Sequence, residues 1–160
     1  MFKPHAILHP TDYSDNSAYA FKIAVSLAEQ HGAILYVAHV VESLGPELVT
    51  VGEATTHLQP QAHVQRLWDE LRQVKAPPDS PITVKHILAE GPPAAEVAEI
   101  ARKHHCDLIV ISTHGRTGLE RLLMGSIAEK IVRLAPCAIL TVKCPPCDPK
   151  RTILSPESAP

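Results

Sequence analysis

The sequence has few aromatic residues, little net charge and no long hydrophobic run. Phenylalanine, tyrosine and tryptophan make up only 4% of its 160 residues, although 45% of the residues are apolar. A core of this composition must be built from alanine, valine, isoleucine and leucine, which is typical of parallel sheets covered by helices. A chain of this length matches one ordinary domain with a single core.

The absence of excess charge and of long apolar segments excludes several partners. The formal net charge is -2 and the basic residues are scattered, so no basic surface for nucleic acid is expected. The longest mainly apolar run, AILYVAHVV, is about half as long as a membrane-spanning helix requires. The apolar run near the N-terminus is too short for a signal peptide. We therefore expect a cytoplasmic protein that binds neither nucleic acid nor a membrane.

The four cysteines favour reduced thiols over a disulfide framework. Cys106 and Cys137 stand at the starts of apolar strands and are predicted to be small core residues. Cys144 and Cys147 form a CPPC motif, a spacing that can bind zinc or exchange disulfides. No helix follows that motif and zinc would need two more ligands, so a functional role is the minor alternative.

Hydrophobic periodicity predicts five strands that alternate with helices. Residues 1–143 are predicted to form this domain, and the proline-rich residues 144–160 an extended or disordered tail. The segment from Glu42 to Pro60 is predicted to be an irregular surface excursion with at most one helical turn, which either covers a site or only decorates the surface. The strand candidates, in chain order, are HAILHP, AILYVAHVV, ITVKHILA, CDLIVIS and CAILTVK.

This alternation predicts an α/β fold, an open, doubly wound parallel sheet of five strands with helices on both faces. In such sheets ligands bind beyond the carboxyl ends of the strands, where the strand order reverses. If the order is 3-2-1-4-5, the reversal lies between the first and fourth strands. The loops that leave these two strands carry Asp12 and a glycine cluster, so both would line one crevice.

Three of the seven glycines, Gly115, Gly118 and Gly125, lie in this second loop. Glycine allows backbone amides to approach a ligand, and the helix that follows offers its positive end to a phosphate. Ser126 and Glu129 have the spacing of a capping box, which predicts that the helix begins at Ser126. The spacing is neither that of a Walker loop nor that of the GxGxxG fingerprint, so an ordinary P-loop NTPase or NAD enzyme is not expected.

These residues resemble the universal stress protein family over about Lys3 to Lys143. The nucleotide-binding branch of the family carries G-x2-G-x9-G-[S/T], which falls here on Ser112, Gly115, Gly125 and Ser126, with serine in place of the first glycine. The segments HAILHPTDYSDNS, EGPPAAEVAEIA and DLIVISTHGRTGLERLLMGSIAEKIVRLAPCAILTVK are also similar to that branch.

The resemblance implies a Rossmann-like fold of the adenine nucleotide alpha hydrolase type, with strand order 3-2-1-4-5. It also implies a homodimer that pairs through the fifth strand. The implied adenine contacts are Asp12 and Val40, and Pro10 is a further implied nucleotide-binding residue. The implied ribose and phosphate contacts are Ser112, Gly115, Gly125, Ser126 and the backbone amide of Ile127.

Simpler roles remain open for several of these residues. Asp12 could cap a helix as readily as bind a ligand, and Ser126 could be only an N-cap. Gly118 lies outside the family pattern and is interpreted as a turn residue. His114 is interpreted as a solvated loop histidine, and Arg116 and Arg121 as more distant candidates for a phosphate tail.

The leading hypothesis is therefore an ATP-binding, dimeric stress-response module with unknown protein partners and at most slow ATP hydrolysis. Mg²⁺ would accompany the phosphates. One alternative is a nucleotide-independent interaction protein of the same fold. Another is an enzyme that activates a substrate as an adenylate, against which the absence of SGGxDS and HxGH signatures argues.

Overall fold

The computed structural model describes residues 2–42, 47–51, 54–58, 60–113 and 125–144, with the backbone alone in the second and third of these ranges. The strands are β1 (Ala6–Pro10), β2 (Ile34–Val41), β3 (Glu47–Val51), β4 (Ala54–Leu58), β5 (Val84–Glu90), β6 (Leu108–Ser112) and β7 (Ala138–Val142). The helices are α1 (Asp15–His31), α2 (Pro60–Leu71), α3 (Pro93–Lys103) and α4 (Ser126–Leu134).

Five parallel strands form one sheet in the order β5-β2-β1-β6-β7. The predicted strands one to five correspond to β1, β2, β5, β6 and β7, so the predicted order 3-2-1-4-5 and the doubly wound α/β class are confirmed. The central strands β1 and β6 are apolar on both faces because helices cover both sides of the sheet.

Two cores lie on opposite faces of this sheet. On one face α1 packs Ala24 and Ala28 against residues such as Ile7 and Val110, and Leu71 of α2 joins them. On the other face Val97 of α3 and Ile131 of α4 pack against Leu8, Ala38 and Ile109. Phe21, Ala24, Val25 and Ala28, which recur at helical spacing, are buried on one side of α1.

The ends of α1 follow from local chemistry. Ser14 is the N-cap, and its hydroxyl accepts a hydrogen bond from the amide of Ser17 at 3.2 Å. Gly32 ends the helix in the left-handed conformation at φ 66, which glycine adopts without steric cost. These two residues set the position of the helix against β1 and β2.

The segment from Glu42 to Pro60 contains two strands among its described residues, so the prediction of an irregular excursion was wrong. Strands β3 and β4 form an antiparallel pair, with Glu47 opposite Leu58 and Val51 opposite Ala54. Two runs rich in β-branched residues stand on either side of Gly52 and Glu53, which is a hairpin signal in the sequence. That signal outweighs the lack of a clear alternating pattern.

Strand β5 lies at one edge of the sheet and β7 at the other. Among the described residues, no helix combines the length and apolar character that crossing a membrane requires. Of the predicted tail only Cys144 is described, and Cys147 lies outside the described residues.

Candidate functional site

A cavity of about 340 Å³ opens at the carboxyl ends of the central strands. The ladder between β1 and β6 ends at the pair Leu8 and Ile109. Beyond this pair β1 is paired only with β2 and β6 only with β7, and the two strands then continue into separate helices. This is the switch point of a doubly wound sheet, where the opposite directions of the connections leave a crevice. A volume of this size lies within the range of small-molecule sites, roughly 300–1,000 Å³.

The structure brings most of the predicted site residues to this one cavity. They come from four separate parts of the chain, so only the fold brings them together. The predicted residues that line the cavity are Pro10, Asp12, Val40, Ser112, Gly125, Ser126 and Ile127. The other predicted contact, Gly115, lies outside the described residues, as do His114, Arg116, Gly118 and Arg121.

The remaining lining was not predicted from the sequence. It is mostly apolar and comes from the strand faces and from the helices α3 and α4, with Thr11 and His39 as polar members. The unpredicted lining residues are Thr11, Ala38, His39, Pro93, Val97, Ile111, Ala128 and Ile131. Their apolar types are those of any core residue, so only the strand register shows which of them reach the cavity.

The loop between β1 and α1 is held by its own side chains. Asp12 Oδ1 accepts hydrogen bonds from the amide of Ser14 at 3.0 Å and from its hydroxyl at 2.6 Å. Asp12 is therefore a turn residue, and the helix cap is Ser14. Between them Tyr13 has a φ of 63, a left-handed conformation that costs a non-glycine residue about 1–2 kcal/mol.

The backbone of Val40 faces the cavity. Successive residues of a strand direct their backbone groups to opposite sides. Ala38 accepts from the amide of Thr11 on the β1 side, whereas Val41 accepts from the amide of Gly91 on the β5 side. Val40 therefore directs its N–H and C=O toward β1, at a level that β1 no longer reaches because it ends at Pro10.

The backbone carbonyl of Thr11, which would continue the ladder between β1 and β2, already accepts another hydrogen bond. Thr11 accepts a hydrogen bond from Nδ1 of His39 at 2.8 Å through its backbone oxygen. The side chain of His39 thus replaces the next backbone rung. An adjacent donor and acceptor remain on Val40 at the wall of the cavity.

Helix α4 begins at the other side of the cavity. Its N-cap is Gly125, not Ser126, so the predicted capping box is wrong. Ser126 is the first helical residue, and Glu129 bonds to Arg133 one turn later at 2.7 Å. Glycine has no side chain that could cap the helix, so the first-turn amides depend on other acceptors.

The backbone conformation at position 125 does not require glycine. Its φ is -69, which any residue adopts. Among the described residues, a Cβ added there would meet only the backbone oxygen of Thr113, at an ordinary 3.5 Å. Neither backbone strain nor a clash with a described residue therefore requires glycine at this position.

Cys106 and Cys137 are structural rather than reactive. Burial raises the pKa of the Cys106 thiol to about 12 and also raises the pKa of Cys137. Both contribute to the core on the α3 and α4 face, in agreement with the prediction for them. In the part of the chain that the structure describes, no group of three potential ligands could hold a metal ion.

Comparison with known proteins agrees with the family resemblance seen in the sequence, and it covers nearly the same residues. The model of the universal stress protein family matches residues 4–143. Universal stress protein MJ0531 of Methanocaldococcus jannaschii is 36% identical over 140 residues, which cover 87% of this chain and 82% of that protein.

Solved structures of the family share the fold. Universal stress protein UspA from Lactobacillus plantarum has a TM-score of 0.69 at 27% identity, with 89% of this chain and 99% of that chain covered. The universal stress protein from Archaeoglobus fulgidus, solved in complex with dAMP, has a TM-score of 0.56 at 17% identity and covers 88% of this chain and 97% of its own. With the family model matching most of its length, this chain belongs to the universal stress protein family.

Proposed function

We propose that this protein binds ATP in the cavity at the switch point and acts in the cytoplasm as a dimeric, nucleotide-responsive module of the stress response. The observation that carries the proposal is the pair of features on opposite walls of one cavity. One wall offers the backbone donor and acceptor of Val40, and the other offers the uncapped N-terminus of α4 at Gly125. A solved family member with dAMP supports an adenine nucleotide as the ligand.

The Val40 wall suits the adenine base. Adenine presents a donor, its exocyclic amine, beside an acceptor, its ring nitrogen N1. A backbone C=O and N–H on the same residue complement this pair. The apolar side chains of Ala38, Val97 and Ile111 line the same cavity and would contact the faces of the base. Asp12 and Pro10, at the end of β1, close this side.

The α4 wall suits the phosphates. The amides of Ser126 and Ile127 lie in the first turn, where the helix dipole favours an anion. Helix α3 also reaches the cavity through Pro93, but Pro92 and Pro93 carry no N–H and cannot donate. The phosphates would therefore lie at α4, with Ser112 at the ribose and Gly115 completing the family pattern.

Binding rather than rapid hydrolysis is the expected activity. The described lining contains no lysine or arginine that could stabilise charge on a transferred phosphoryl group. Asp12 is the one carboxylate in that described lining, so Mg²⁺ would be held chiefly by phosphate oxygens and water. Any ATPase activity should be slow.

Dimerisation would use the free edge of the sheet at β7. Val142 accepts from the amide of Thr113 on the β6 side, so Ile139 and Thr141 direct their backbone groups outward. Val132 and Leu134, on the adjacent helix α4, are large apolar side chains that are more than 40% exposed. An open edge beside exposed apolar residues supports pairing of two copies.

The first test is the identity of any nucleotide that accompanies the purified protein. Freshly purified protein is denatured, and the released small molecules are separated by chromatography. ATP or ADP in near-stoichiometric amount is the expected result. A protein that carries no nucleotide and also fails to bind added Mg-ATP would favour the nucleotide-independent alternative.

A further inference from the structure

We propose that His9 is a positioning residue of the nucleotide site, which fixes the loop between β1 and α1 through Ser17 and Thr11. This inference rests on the proposed function. His9 is fully buried, with 0% of its surface exposed, and Ser17 is 2% exposed. Neither residue lines the cavity, and no other part of the proposed function uses them.

The hydrogen bonds around His9 have only one consistent direction when the imidazole is neutral. Nδ1 lies 2.9 Å from the carbonyl oxygen of Val110, which can only accept, so Nδ1 carries the proton. Nε2 is then an acceptor, and the Ser17 hydroxyl 3.3 Å away must donate to it. The Ser17 hydroxyl also lies 3.1 Å from the Thr11 hydroxyl, and the two are hydrogen-bonded.

The chain of bonds ends in the loop itself. The amide of Tyr13 donates to the Thr11 hydroxyl at 3.1 Å, and Tyr13 is the residue held in the left-handed conformation. Thr11 is also fixed through its amide by Ala38 and through its carbonyl by His39. The loop that presents Asp12 to the cavity therefore connects through buried side chains to strand β6.

The place of His9 in the sheet explains why a side chain is needed there. The backbone ladder between β1 and β6 ends at Leu8 and Ile109, one residue before His9 and Val110. The imidazole takes the carbonyl of Val110 that the diverging strands no longer pair. It thereby joins β1, β6 and α1 beneath the point where the crevice opens.

The test separates the base end of the site from the phosphate end. Adenosine and tripolyphosphate are titrated into wild-type protein, Ser17→Ala and His9→Asn, which keeps a donor toward Val110 but loses the acceptor for Ser17. Both variants should weaken adenosine binding about tenfold, the order expected for one lost hydrogen bond, and leave tripolyphosphate within about twofold. Ser26→Ala, an exposed change on the same helix, should alter neither affinity.

A double variant shows whether His9 acts through Ser17. If it does, His9→Asn with Ser17→Ala should lose no more adenosine affinity than either single variant. Additive losses, or losses of both ligands together, would mean a general structural role and would overturn the proposal. Wild-type protein that binds no adenosine would overturn the proposed function itself, whereas binding that ignores both variants overturns only the role of His9.

Discussion

At the scale of single residues, buried His9 should make the free energy of unfolding depend on pH in the acidic range. Burial lowers the pKa of His9 from 6.5 to about 4, against smaller opposing effects of the Val110 carbonyl and Asp12. The unfolded chain therefore binds a proton in a pH range where the folded protein does not. The stabilising contribution of neutral His9 is present above about pH 6.5 and is lost as the pH falls toward 4.

We expect this loss to reach about 3 kcal/mol of unfolding free energy by about pH 4. Denaturant unfolding of wild-type protein and His9→Asn across this range would measure it. The carboxylates titrate in both proteins, so the difference between the two pH profiles isolates His9. Parallel profiles for the two proteins would show that His9 does not titrate as its burial predicts.

Single residues also show where sequence reasoning succeeds. Asp12 and the loop that begins at Ser112 could be placed at one crevice from the strand ends, whereas Pro10 and Val40 were implied only by the family resemblance. His9 could not be found in this way, because its importance depends on Ser17 and Val110, which only the fold brings to it. A histidine in an apolar strand has no distinguishing pattern among ten histidines.

At the scale of elements, the two serines at the starts of α1 and α4 have different roles. Ser14 caps α1 with its side chain, whereas Ser126 lies inside the first turn of α4 after Gly125. The sequence could not separate them, because both precede helical residues at plausible cap positions. The capping box was assigned from the spacing of Ser126 and Glu129, but Glu129 bonds to Arg133 instead.

Because the two serines have different roles, replacing each of them by alanine should have a different effect. Ser14→Ala should lower the free energy of unfolding by about 1 kcal/mol, since it removes a helix cap. Ser126→Ala should change stability little but should weaken binding of Mg-ATP. Thermal or denaturant unfolding with calorimetry on both variants provides the comparison. A stability loss from Ser126→Ala as large as that from Ser14→Ala would contradict these roles.

The edge strand β7 gives a second prediction at this scale. Thr141 directs its N–H outward, so Thr141→Pro removes a donor from the free edge without removing a bond to β6. The variant should fold but sediment as a monomer in analytical ultracentrifugation, while the wild type sediments as a dimer. Leu140→Pro, whose N–H faces β6, is the contrasting change and should destabilise the fold. A dimeric Thr141→Pro protein would place the interface elsewhere.

At the scale of the whole molecule, the regular alternation of strands and helices predicted a doubly wound parallel sheet, and the family resemblance implied its strand order. The hairpin β3–β4 was not predicted, because the glycines and the proline around its two runs also indicate a loop, although the runs on either side of Gly52 and Glu53 carry a hairpin signal. The cavity could be predicted only in part. Its position follows from topology, whereas its apolar walls depend on the register of β2 and β6.

The central claim is that this cavity holds ATP between Val40 and the start of α4. Its most direct test is calorimetric titration of nucleotide-free protein with Mg-ATP, beside the variant Gly125→Val. The backbone at Gly125 accepts any residue, so the variant should fold while its side chain obstructs the amides of α4. The account predicts a dissociation constant on the order of micromolar for the wild type and little binding to the variant. Equal affinity in both proteins, or no binding to the wild type up to about millimolar nucleotide, would contradict it.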